Sequence, residues 1–323
     1  MSNFQKLNMV QAINLALKEE MQRDSNVVIL GEDVGKDGGV FRATEGLLEM
    51  FGEERVIDTP LAESGIVGAV IGMAVYGLRP IAEIQFMGFI YPAIDQIFSH
   101  ASRIRNRSRG RFTCPIVIRT PYGAGIKAPD LHSESTEALF CHMPGIKVVV
   151  PSSPYNAKGL LISSIKDPDP VIFLESTRLY RLIKEDVPEG EYTIPLGKAN
   201  IVRAGNDVTI IAWGSMLHRA IKASENLDVE VIDLMTLNPL DEETIIKSVK
   251  KTGRVVIVHE APKTCGFGAE ISATIAEDAM LYLKAPIIRV TGFDVVMPLP
   301  KLEDYYMPTV ERIKKGIEEV MRY

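Results

Sequence analysis

Three cysteines in 323 residues are few, and Cys114, Cys141 and Cys265 stand far apart with no CxxC pair. That pattern argues against a disulfide framework and fits free thiols in a reducing compartment, each expected as a small buried hydrophobe. No apolar run reaches the length of a membrane-spanning helix, and the richest, Ile66 to Val75, is too short. The opening segment, MSNFQKLNMV, has no apolar signal core. The expected location is cytoplasmic, with a processed organellar form as the other reading. Positive charge is also short: 36 Lys and Arg against 42 Asp and Glu leave a net −6. That balance argues against a general nucleic-acid or anionic-membrane partner. Repeats and low-complexity tracts are missing too. What is present, 46% hydrophobic and 24% charged residues, matches an ordinary globular protein long enough for two domains.

Short β-branched runs alternate with helix-length segments. The runs are Val27 to Leu30, Ile116 to Arg119, Lys147 to Pro151, Val171 to Leu174, Val208 to Trp213, Val229 to Asp233, Val255 to Glu260 and Ile287 to Val290. Runs with little apolar–polar alternation suit strands covered on both faces, hence parallel sheet. Helices are predicted over Asn8 to Gln22, Pro92 to Arg107, Pro154 to Lys166, Asp241 to Lys251 and Leu302 to Met321. The fold class is therefore α/β with right-handed crossovers. A polar stretch from Glu185 to Gly205, broken by Pro188, Gly190, Pro195 and Gly197, places a boundary there. The division is 1–190 and 191–323.

The segment Ile57 to Ala74 carries the most chemistry. Thr59 as cap and Pro60 at the first helical position predict a helix start, with Glu63 in its first turn. Gly65, Gly68 and Gly72 then share one face. Each glycine costs a helix roughly 0.8–1 kcal/mol relative to Ala, so close approach of another helix is the expected reason. By position Glu63 reads as an acid at a helix start. Burial on a small-residue helix would instead raise its pKa and let it share a proton with a ligand nitrogen. Both readings stand on the residues alone. His132, in a loop of turn formers, reads either as a satisfied loop imidazole or as a proton-handling group. Phe89 reads as core packing or as an aromatic wall. Glu83 and Gln85, alternating with Ile84 and Phe86, are candidates to face a site.

Six blocks resemble the E1 β subunits of 2-oxoacid dehydrogenase complexes, of the pyruvate and branched-chain types. They are GEDVG from Gly31, DTPLAESGIVG from Asp58, AEIQFMGFIYPAIDQI from Ala82, LHSESTEA from Leu131, CHMPGIKVVVPSSPYNAKGLL from Cys141 and HEAPKTCGFGAEI from His259. The likeness spans nearly the whole chain in order, and the AEIQF block looks closer to the branched-chain type. It implies a transketolase-like pyrimidine-binding domain followed by a smaller α/β transketolase C-terminal domain. It implies thiamine diphosphate shared with an α subunit that holds Mg²⁺ and the diphosphate. The sequence agrees, having no GDG followed downstream by Asn; the lone DGG from Asp37 reads as a turn.

The resemblance gives Glu63 the hydrogen bond to N1′ of the aminopyrimidine, favouring the 4′-imino form that removes the thiazolium C2 proton. It places Phe89 near the aminopyrimidine, Gln85 in the substrate pocket, and His132 in proton handling during acyl transfer to lipoyl. It also places a potassium ion at Ile116, Ser164, Ile165, Asp167 and Asp169, with Asp169 where relatives often carry Asn; the plain alternative is a turn ending a helix. The expected partners are an E1 α subunit, in an α2β2 heterotetramer, and the lipoyl acyltransferase E2. An acetoin dehydrogenase β subunit, the C-terminal half of a split transketolase, and a non-catalytic subunit that docks E2 are the other readings. The run RIRNRSRGR reads as a solvated helix C-terminus, with contact to acidic α-subunit surface as the functional alternative. CGFG after Glu260 does not complete a dinucleotide GxGxxG, because Ile271 stands where Gly is needed, and reads as structural or as a subunit contact.

Overall fold

A computed structural model describes residues 3–323. Its larger sheet has seven strands, in the spatial order Thr236–Asn238, Lys147–Val149, Val171–Ser176, Val117–Tyr122, Arg79–Glu83, Val27–Gly31 and Val56–Asp58. Six run parallel, and the edge strand Thr236–Asn238 pairs antiparallel with Lys147–Val149. Every residue of Val27–Gly31, Val117–Tyr122 and Val171–Ser176 is buried. Layers on both faces explain why these runs lack alternation. A five-stranded sheet follows, ordered Ile288–Val290, Val255–Val258, Val208–Ala212, Val229–Asp233 and Asn200–Arg203, the last strand antiparallel. Phe4–Leu7 pairs with Glu185–Pro188 as a separate ribbon.

Helix Met9–Arg23 starts on a reciprocal capping box between Asn8 and Gln11. Pro154–Lys166 begins as predicted, with the Ser153 hydroxyl accepting the Asn156 N–H and Pro154 in the first turn. These two helices pack together over one face of the large sheet, burying Ile13, Leu17, Leu160 and Leu161 against Ile29 and Phe173. Each such side chain contributes roughly 1.5–3 kcal/mol on burial. On the other face lies Glu63–Tyr76, whose Ile66, Val67, Val70 and Ile71 join a core that continues through Phe140 to Trp213, Ile245 and Phe267. The two sheets thus share one core, and the C-terminal half lends the large sheet its edge strand.

Several expected bounds move. The span 92–107 is helical but of changing pitch: a 3₁₀ turn Met87–Ala93 that starts earlier than expected and contains Pro92, a π turn Gln96–His100, a 3₁₀ turn Ala101–Arg103 and an α-helical turn Ile104–Arg107. The final helix divides into Glu303–Tyr306 and Val310–Val320 around Pro308. A helix over Phe267–Ala279 starts within the CGFG segment, with Gly266 as its cap residue, where none was expected. Cys114 is buried and Cys141 half-buried, but Cys265 is exposed; all three are free thiols. None of the described helices is long and apolar enough to cross a membrane.

Candidate functional site

The C-terminal ends of parallel strands are where an α/β sheet presents its ligand sites. At that edge Val56–Asp58 leads to Glu63, Val27–Gly31 to Glu32 and Asp33, Arg79–Glu83 to Gln85, Phe86 and Phe89, and Val117–Tyr122 to the loop carrying His132.

Glu63 opens its helix, one turn later than predicted. The Thr59 N–H donates to the Gly31 carbonyl at 3.0 Å, extending the strand pairing, and the buried Thr59 hydroxyl has no hydrogen-bond partner, so Thr59 does not cap. Ala62 is the cap residue and offers no side-chain acceptor. Glu63 is half-buried at the first helical position, where the helix dipole favours an anion. Beside it lies Glu32, 8% exposed, with Oε1 lacking a partner. Burial first, then the neighbouring Glu63 and Asp33 carboxylates, push the Glu32 pKa up, while the Ala62 backbone N–H draws it down. Sequence reading had passed over Glu32, although GEDVG contains it.

Gln85 donates to the Asp33 carboxylate at 3.0 Å, which holds it at this edge. Glu83 points elsewhere, a correction to its reading as a site-facing group. It belongs to a buried ion cluster in which Arg119 donates to Glu83 at 2.8 Å and to both Glu175 oxygens at 2.7 and 3.0 Å. The Tyr180 hydroxyl completes the cluster by donating to Glu175 at 2.7 Å. Such a desolvated pair is retained because removing one partner strands the other's charge.

Three rings meet over the strand end. His132 lies 4.3 Å from Phe86 and 5.0 Å from Phe89, which are themselves 5.6 Å apart edge to face. His132 Nδ1 is 2.8 Å from the Asp130 carbonyl oxygen. Nδ1–H therefore donates to that carbonyl, and Nε2 is the nitrogen left to exchange a proton. The loop reaches this position because residue 88 is glycine: a Cβ there would sit 2.3 Å from the Leu131 carbonyl oxygen. Behind the loop lies a cavity of about 600 Å³ lined by Tyr91, Ser133, Glu134, Ser135, Thr136 and Tyr306, among others. The Tyr91 hydroxyl donates to Glu134 at 3.2 Å.

The five proposed potassium-binding positions lie apart from this edge. The Ile116 carbonyl accepts from the Val171 N–H at 3.0 Å and the Ile165 carbonyl from Arg79 at 2.9 Å. The Ser164 carbonyl accepts from the Asp167 N–H at 3.3 Å. Lys147 reaches the Asp167 carboxylate at 2.7 Å, and Arg105 reaches Asp169 at 2.7 Å. Of the three protein cations only Arg79 sits on a main-chain oxygen of this set; Lys147 and Arg105 pair with carboxylate side chains. The basic run ends the helix Ile104–Arg107 with all five arginines exposed, as a solvated helix end would, although Arg105 pairs with Asp169 and Arg107 contacts His100 at 3.3 Å.

Family models match over most of the chain: the pyrimidine-binding domain of transketolase over residues 5–183 and the transketolase C-terminal domain over 197–313. The pyruvate dehydrogenase E1 component subunit beta of Acholeplasma laidlawii is 50% identical over 321 residues, covering 98% of each chain. The subunit of the same name from Bacillus subtilis (strain 168) is 49% identical over 323 residues, covering 98% of this chain and 99% of the relative. This chain belongs to the E1 β-subunit family of 2-oxoacid dehydrogenases. The fold expectation is met as well. A split-gene transketolase, described as an inactive β4 tetramer, superposes with a TM-score of 0.78 at 21% identity, covering 98% of this chain and 99% of that one. At that identity the likeness is one of fold.

The E1 β family is one of thiamine-diphosphate enzymes, and this edge suits the aminopyrimidine end of that cofactor. Glu63 offers a carboxylate at a helix start, Phe86 and Phe89 an apolar wall, and Glu32 an unpartnered buried oxygen near Glu63.

Proposed function

We propose that this chain is the β half of a pyruvate-decarboxylating E1 enzyme whose active site is completed by an α subunit, in an α2β2 assembly that acylates the lipoyl group of E2. The observation that carries the reading is the Glu63 carboxylate at its helix start, beside buried Glu32 and at the same sheet edge as the Phe86–Phe89–His132 cluster. The names of the relatives favour pyruvate, whereas the AEIQF block had leaned toward a branched-chain 2-oxoacid. The sparse free cysteines accord with a cytoplasmic setting.

When bound, thiamine diphosphate supplies the electron sink for loss of carbon dioxide. Glu63 holds a proton at N1′ of the aminopyrimidine. Phe86 and Phe89 would shield the ring from water, and Gln85, held by Asp33, would meet the substrate. His132, with Nδ1 committed to the Asp130 carbonyl, moves a proton at Nε2 during acyl transfer to lipoyl. The glycine face of Glu63–Tyr76 supports a partner: a Cβ on Gly72 would meet nothing within 4 Å, and Tyr76 is 91% exposed. No contact within the chain explains glycine at position 72, and close packing against another subunit would.

Coexpression with an α subunit tests the assignment. Carbon dioxide release should require both chains and favour pyruvate over 3-methyl-2-oxobutanoate. Turnover by this chain alone would overturn the split site, and preference for the branched substrate would overturn the specificity.

A further inference from the structure

The loop from Gly123 to Thr136 carries His132, yet two of its backbone anchors come from the C-terminal half. Glu260, just beyond the strand Val255–Val258, is 1% exposed. One carboxylate oxygen accepts the Ala124 backbone N–H at 3.0 Å and the other accepts the Ser215 hydroxyl at 2.9 Å. The approach is close: Gly123, at φ +76°, would place a Cβ 2.5 Å from Glu260 Oε2. Three residues after Ala124, the backbone N–H of Lys127 donates at 3.0 Å to Glu303, which is 2% exposed. The Gly123 N–H donates to the Glu134 carbonyl at 2.8 Å, tying the start of the loop to the segment just past His132. Displacing Ala124 therefore displaces both sides of His132. Hydrogen bonds from backbone N–H to a buried carboxylate are among the stronger ones available.

We propose that Glu260 and Glu303 are positioning residues for His132, through which the C-terminal half sets the geometry of the acyl-transfer loop. The functional part of this claim rests on the role of His132 given above. Neither carboxylate touches the reacting atoms; each acts through the loop backbone.

The test uses the complex assembled with its α subunit, carrying Glu260→Ala, Glu260→Gln, Glu303→Ala, His132→Ala and the Glu260→Ala/His132→Ala double change. Two quantities are read: amide hydrogen exchange across 124–136, and the rate of lipoyl-domain acylation relative to decarboxylation with an artificial electron acceptor. Glu260→Ala should speed exchange across the loop about tenfold and lower acylation about tenfold, with decarboxylation changed less than about twofold. Gln at 260 keeps one acceptor and should restore most of the loss. In the His132→Ala background, Glu260→Ala should add no further loss. Unchanged loop exchange, equal loss in both reactions, or a full additive loss in the double variant would each overturn the proposal. If Glu260→Ala does not fold, Glu303→Ala, which removes the acceptor for the Lys127 N–H, carries the same comparison. If His132→Ala alone leaves acylation intact, the role of His132 fails, while loop exchange still decides whether the clamp exists.

Discussion

The His132 imidazole packs against the Phe86 ring at 4.3 Å, tilted by 54°. With Nδ1 at the Asp130 carbonyl, the ring has one free nitrogen and little freedom to turn. A group held this way can deliver a proton along one direction.

His132→Ala should therefore slow lipoyl acylation by about 10²–10³-fold, within the range of a lost general acid or base. Assembly with the α subunit should persist, since a loop imidazole is removed without a buried charge being stranded. Stopped-flow acylation of a lipoyl domain and analytical ultracentrifugation together read the two effects. An unchanged acylation rate would return His132 to the role of a packed loop residue.

Gly88→Ala probes the same loop from below. Its Cβ would fall 2.3 Å from the Leu131 carbonyl oxygen, and Leu131 already holds φ +66°. Neither backbone can give easily, so the substitution should cost about 1–3 kcal/mol of stability, as overpacking does. Urea unfolding measures that cost, and acylation should fall along with it. Wild-type stability together with wild-type acylation would mean that the loop is not seated on residue 88.

The strands were legible because burial on both faces leaves near-continuous apolar runs, as in Val171–Ser176. Pro154–Lys166 was legible because Ser153 and Pro154 mark its start locally. The start of the Glu63 helix was not, because Thr59 is taken by strand Val27–Gly31, a pairing remote in sequence. The helix at Phe267 was missed because its glycines answer to a tertiary contact: a Cβ on Gly266 or Gly268 would lie 2.7 or 2.8 Å from the His259 ring. Glu63, His132 and Phe89 came into view through the family resemblance, and Glu32 and Glu260 only through their neighbours in space.

Glu137 begins a short helix just past His132 and is fully buried, with neither carboxyl oxygen hydrogen-bonded to a partner. Burial pushes its pKa up to about 7, and the Glu260 carboxylate adds to the rise. The folded chain thus keeps a proton that the unfolded chain loses near the ordinary value of 4.5. Stability should fall as pH rises from about 4.5 to 7 and level off above. Glu137→Gln should remove on the order of 3 kcal/mol from that fall. Asp233, also pushed to about 7 chiefly by burial, leaves a residual slope. Urea unfolding at pH 5 and pH 8 reads the difference. An identical pH slope in the variant would contradict the burial argument.

The central claim is that Glu63 shares a proton with the aminopyrimidine in a site that two chains build. The most direct measurement is carbon dioxide release from pyruvate by the assembled complex, wild type against Glu63→Gln. A loss of about 10²–10⁴-fold with the complex still assembled is the predicted result. Near-normal turnover in Glu63→Gln would contradict it and leave Glu63 as no more than an acid at the start of a helix.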